Sequence, residues 1–116
     1  GAEKSYIAGG AWCPSPEKLQ KIRSEIYYNT EEFNRILKDK KFATTFGDIQ
    51  GERSKILPKD IKDWTSDSDY IYHKQFYFWK EFDNREVLDK DFTKKVATWF
   101  SHGYDVNQFL RRAMRD

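Results

Sequence analysis

The sequence predicts an α+β domain in which several short amphipathic helices pack on a small mixed or antiparallel sheet. Three observations carry that reading. Apolar residues recur at helical spacing in separate stretches, each opened by a capping residue. Two aromatic-bearing stretches read as strands, the clearer alternating with period two. Helices outnumber strands without alternating with them, which sets the chain apart from βαβ proteins.

The first strand is expected over 4–12, with Tyr6, Ile7 and Trp12 as its apolar residues. Gly9-Gly10 in its middle points to a bulge or a close backbone approach. Ser15 then suits an N-cap and Pro16 the first helical position, where a missing N–H costs nothing. Leu19, Ile22 and Ile26 give that helix one apolar stripe. Thr30 starts a second helix, with Glu31 and Glu32 at its positive end and Phe33, Ile36 and Leu37 on its apolar face. Asp39 restarts a short turn carrying Phe42 and Phe46, closed by Gly47.

Residues 48–63 are the least regular, a short strand or extended connection anchored by Ile49, Ile56 and Leu57 ahead of Ile61. Ser66 to Asp69 has the form of a capping box opening a short helix. The strand signal is strongest over 74–83, where Phe76, Phe78 and Phe82 point one way and Tyr77 and Trp79 the other. Within this chain only 4–12 and parts of 48–57 are available to pair with it. Asp83 to Glu86 suits another helix start, and Phe92, Val96, Trp99 and Phe100 form the stripe of the helix after Asp91. Asp105 is expected to cap the last helix, whose inner face is Val106, Phe109, Leu110 and Ala113.

At 116 residues the chain is one domain or part of one. Aromatics make up 17%, with nine Phe, seven Tyr and four Trp, while Val and Leu are scarce, an unusual supply of core material. Charged residues reach 34% and mean hydropathy is −0.94, and no apolar run approaches the roughly 20 residues of a membrane span. A net charge of +2 is too small an excess to argue for nucleic acid or anionic membranes. The lone Cys13 cannot form an internal disulfide, which fits a reducing, cytoplasmic setting. Placed between Trp12 and Pro14, it reads as buried and inert.

Ala8-Gly9-Gly10-Ala11-Trp12 with Pro14, Pro16-Glu17-x-Leu19-x-x-Ile22-Arg23, and Phe46-Gly47 through Gly51-Glu52 to Pro58-Lys59 occur in one order. Lys74-Gln75-Phe76 and Phe109-Leu110 continue it. Together they resemble domain of unknown function 2461, a group of conserved hypothetical bacterial and fungal proteins. The resemblance spans essentially the whole chain, with Trp64, Tyr72 and Trp79 as departures. Family members are longer, and their hallmark R-x-x-R-D-x-R-F motif lies in an amino-terminal half that no stretch here matches. The resemblance therefore implies that residues 1–116 are a carboxy-terminal half, completed by the amino-terminal half of the same protein; Gly1-Ala2, just ahead of the first strand, reads as an added remnant. It implies no activity, cofactor or catalytic residue.

The candidate functional residues are basic. Arg53, Lys55, Lys59 and Lys62 lie close together, offset by Glu52 and Asp60, and Lys74 precedes the aromatic strand. Arg53, Lys55, Lys59 and Lys74 form a candidate anion site for a phosphorylated or otherwise anionic small molecule, with Gly51 allowing close approach. The plainer alternative is a solvated loop whose lysine stems cover aromatic surface. Cys13, His73 and His102 lack metal-ligand spacing, so no metal or cofactor is expected. The paired carboxylates are explained by helix starts. Three classes stay open: a structural and ligand-binding half-domain, an enzyme whose catalytic residues lie mainly in the other half, and an interaction or regulatory module.

Overall fold

The computed structural model describes residues 3–64 and 68–115, and local chemistry accounts for most of its elements. Strand β1 (Lys4–Ala11) is followed by helices α1 (Pro16–Tyr28), α2 (Thr30–Lys38) and α3 (Lys40–Phe46). Two short 3₁₀ turns, Lys59–Ile61 and Asp69–Tyr72, lead to strand β2 (Phe76–Asp83). Helices α4 (Asn84–Val87), α5 (Phe92–His102) and α6 (Tyr104–Met114) complete the order.

Ser15 caps α1 through an Oγ that accepts from the Lys18 N–H at 3.2 Å. Asp39 caps α3, accepting from Lys41 and Phe42 N–H, and Asp83 caps α4, accepting from Arg85 and Glu86 N–H. Each such cap contributes about 1 kcal/mol by satisfying donors that a helix start leaves unpaired. Asp105 does not cap α6. The chain turns at Gly103, so Asp105 falls inside the first helical turn, where its charge still meets the positive dipole end. The capping box expected at Ser66 lies outside the described residues.

The fold is α+β: six α-helices and a two-stranded antiparallel sheet among the described residues. Lys4 pairs with Asp83 and the register runs unbroken to Ala11 opposite Phe76, so Gly9-Gly10 makes no bulge. The close approach is real, however. Gly10 has φ +96°, and a Cβ there would lie 2.1 Å from the Phe76 carbonyl oxygen. Its N–H turns away from β2 to donate to Asn107 Oδ1 at 2.9 Å. Tyr77 exchanges both backbone bonds with Gln50, the fragment of the 48–57 connection that joins the sheet.

The sheet's inner face carries Phe76, Phe78 and Phe82 into the core. Phe78 meets the rings of Phe42 and Phe46 at centroid distances of 5.2 and 4.7 Å, and Phe33 meets Phe109 at 4.8 Å. The Phe78 ring occupies a slot walled by two glycines, since a Cβ on Gly9 or Gly103 would come within 2.6 or 2.7 Å of it. Buried Ile22 and Ile26 of α1 and Val106, Phe109 and Leu110 of α6 finish the same core. Outside it, Arg112 of α6 ties the helices together, reaching Glu25 of α1 at 2.8 Å and Glu32 of α2 at 2.5 Å. The hydrogen bond from Arg112 holds the Glu32 carboxyl below its ordinary range.

The outer face is thinly covered: Tyr77 packs on Trp12 at 4.0 Å and Trp79 on Tyr6 at 5.5 Å. Tyr6, Trp12 and Trp79 remain 57%, 60% and 43% exposed. Cys13 is exposed rather than buried, because the bend after β1 carries it past the sheet. Ile56 is also exposed, leaving Ile49, Leu57 and Ile61 as the anchors of their region. No described helix is long and apolar enough to cross a membrane.

Candidate functional site

Two neighbouring clefts flank the connection between α3 and β2, and its irregular backbone decides which side chain serves which. Residues 52–54 run antiparallel to 72–74: Ser54 N–H donates to the Tyr72 carbonyl and Lys74 N–H to that of Glu52, each at 2.7 Å. Gly51 makes this possible. It has φ +151°, and a Cβ there would sit 2.3 Å from the Gln75 carbonyl oxygen. Alternation along such a ladder puts Arg53 and His73 on one side and Tyr72 and Lys74 on the other.

The first cleft has a volume of about 440 Å³ and is lined by Lys55, Ile56, Leu57, Lys59, Lys62 and Tyr72. The 3₁₀ turn Lys59–Ile61 swings Lys59 and Lys62 toward Lys55, with buried Ile61 as its anchor. None of the three lysines forms an ion pair among the described residues, so each ammonium is available to a ligand. The walls between them are apolar and aromatic. This arrangement suits an anion attached to an apolar or planar body.

The second cleft, about 380 Å³, is lined by Asn34 and Lys38 of α2, by Asp48 and Arg53 of the connection, and by Asp69, Tyr70 and His73. Tyr70 donates its hydroxyl to both Asp48 carboxylate oxygens, at 2.6 and 2.8 Å. Burial, reinforced by that carboxylate, pushes the Tyr70 phenol well above its ordinary pKa. Arg53 approaches Asp69 at 3.8 Å, and both side chains are largely exposed. His73 is buried, its ring stacked on Phe76 at 5.5 Å.

Of the residues singled out in the sequence, Lys55 and Lys59 therefore share one cleft and are joined there by Lys62. Arg53 opens on the other, and Lys74 lines neither. One further residue, Arg23, carries charge into the interior. Arg23 is 3% exposed, and its Nη2 donates to the His73 carbonyl at 3.1 Å and to Ser54 Oγ at 3.2 Å. Its Nε has no partner, and burial lowers its pKa. Its spacing from Leu19 and Ile26 puts it on the buried stripe of α1, a signal the sequence does hold. Among the described residues no cluster of His, Cys, Asp and Glu is suited to a metal ion.

A small α+β domain with polar clefts beside an aromatic sheet is the class these features define. Residues 1–109 match the family described as conserved hypothetical protein (DUF2461), and the chain belongs to that family. No curated protein and no solved structure matches it.

Proposed function

We propose that the chain is a ligand-binding domain for an anionic small molecule, seated in the cleft of Lys55, Lys59 and Lys62. The observation that carries this reading is the convergence of three unpaired lysines on one cleft with apolar walls. Phosphate is the favoured group, since an ammonium without a carboxylate neighbour serves well as a point charge for it. Arg53 and Lys74 take no part in this lining. The medium is a reducing one, such as cytoplasm, on the strength of a single free and exposed cysteine.

Screening phosphate-bearing metabolites by thermal shift tests the idea. A ligand should raise the melting temperature of the wild-type chain, weaken at high salt, and lose its effect in a Lys55→Ala, Lys59→Ala, Lys62→Ala variant. If no phosphate compound stabilises the wild type, the reading is abandoned.

A second reading concerns the sheet. Because Gly10 bonds Asn107 and Tyr77 bonds Gln50, alternation turns the backbone groups of Tyr6 and Ala8, and of Trp79 and Glu81, away from the opposite strand. Those edges have no partner among the described residues. Open edges beside exposed aromatics favour a completing polypeptide, and we infer the amino-terminal half of the same protein, as longer family members carry. Joining that half should slow amide exchange at Tyr6, Ala8 and Glu81. Unchanged exchange would remove the inference. An enzymatic role would then rest on groups from that half meeting these clefts.

A further inference from the structure

The cleft of His73 holds a chemistry different from that of the lysine cleft, and it stands whether or not the lysines bind an anion. His73 is 7% exposed, and its Nδ1 lies 3.2 Å from the Gln75 carbonyl oxygen. A carbonyl only accepts, so Nδ1 carries the ring proton and Nε2 presents a lone pair. No protein donor reaches Nε2 among the described residues, yet Nε2 is not one of the fully enclosed orphan atoms. It therefore keeps some exposed surface, and His73 is one of the residues that line the cleft. Burial lowers the ring's pKa, so the lone pair persists at neutral pH.

Beside it stands a fixed carboxylate. Tyr70 holds both Asp48 oxygens, and the Ile49 N–H donates to Oδ1 at 2.7 Å. The carboxylate is thereby oriented while keeping lone pairs for a further donor. The opposite charge comes from Arg53. Its pairing with Asp69, at 3.8 Å between mostly exposed side chains, contributes little, so the guanidinium can turn to a ligand. Lys38 and Arg53 balance Asp48 and Asp69 around the cleft. An ion of one sign gains nothing from such a lining, whereas a ligand bearing both signs meets a partner for each.

We propose that this cleft binds a zwitterionic small molecule of the amino-acid type. Its ammonium group is received by His73 Nε2 and the Asp48 carboxylate, and its carboxylate by Arg53. At about 380 Å³ the space lies at the small end of ligand sites, which suits a molecule of that size. Tyr70 acts as a positioning residue, because its hydroxyl is committed to Asp48.

The experiment titrates the intact chain with each free L-amino acid by thermal shift and calorimetry. The strongest binder is then compared with its N-acetyl and carboxamide derivatives, and with glucose as a neutral polyol. The expected result is a binder that loses about tenfold or more in affinity on either blocking, as for removal of a charged hydrogen-bond partner. Asp48→Asn and Arg53→Gln should each weaken binding similarly, and Arg53→Gln, which loses only a long exposed ion pair, should leave the fold's melting temperature nearly unchanged. The triple lysine variant above should bind the amino acid as the wild type does, which separates this site from the anion cleft. The proposal is overturned if no free amino acid binds, if a blocked derivative binds equally well, if only glucose binds, or if the lysine variant loses the binding.

Discussion

Arg23 shows how one residue can join segments far apart in sequence. Its guanidinium reaches Ser54 in the connection and the His73 carbonyl before β2, so two irregular stretches are held from a regular helix. Arg23→Ala should lower stability by about 2–3 kcal/mol in urea unfolding, from two lost charged hydrogen bonds and the cavity left behind. His73 makes a pH-dependent contribution of definite sign. Burial depresses its folded pKa below the unfolded value of about 6.5, so the unfolded chain binds the proton more readily. Above that value the effect is nil. As pH falls from about 6.5 toward the folded pKa, stability should drop by up to about 1.4 kcal/mol per unit, and His73→Asn should flatten that limb of the profile. The sequence marks His73 only as a soft ligand without partners. Its burial depends on Phe76 and Tyr70 closing over it, which no local pattern encodes.

Elements were legible where local chemistry decides them. Ser15, Asp39 and Asp83 cap as their side chains dictate, and the alternation of Phe76, Phe78 and Phe82 identifies the inner face of β2. The partners of β2 were legible too, as β1 and a fragment near Gln50. Periodicity says which face of an element is apolar, but not whether anything covers it. The stripe of α5 makes the point: Phe92, Val96 and Trp99 are only half-buried and Phe100 is exposed. The clefts were least legible, because they follow from the backbone path of 48–57, where bridges replace regular structure. Gly10 tests the sheet. Gly10→Ala must place a methyl against the Phe76 carbonyl at a backbone angle that alanine resists, so the variant should lose at least about 2 kcal/mol, read as a lower urea midpoint.

On the scale of the whole molecule, the chain exposes more than its mass requires. Its accessible surface is 7897 Å², where a compact monomer of 13.9 kDa exposes about 6,700 Å². Its radius of gyration is 15.9 Å, against roughly 13 Å for a compact domain of this size. Part of the excess is the bare aromatic face of the sheet, where Tyr6 and Trp79 stand beside the small residues Ala8 and Gly10. The wild-type chain should therefore bind a hydrophobic dye and self-associate at high concentration, as sedimentation would show. A Tyr6→Ser, Trp79→Thr variant should reduce both while changing stability by about 1 kcal/mol, since both side chains are exposed and pack edge-on against each other.

The pairing of β1 with β2 also sets a timetable for synthesis. The strand near the start of the chain cannot find its mate until everything from α1 through the second 3₁₀ turn has emerged from the ribosome. At about 5–20 residues per second that is a delay of several seconds. Among the described elements, helices α1 to α3 can gather during that interval, while β1 waits unpaired and open to nascent-chain chaperones.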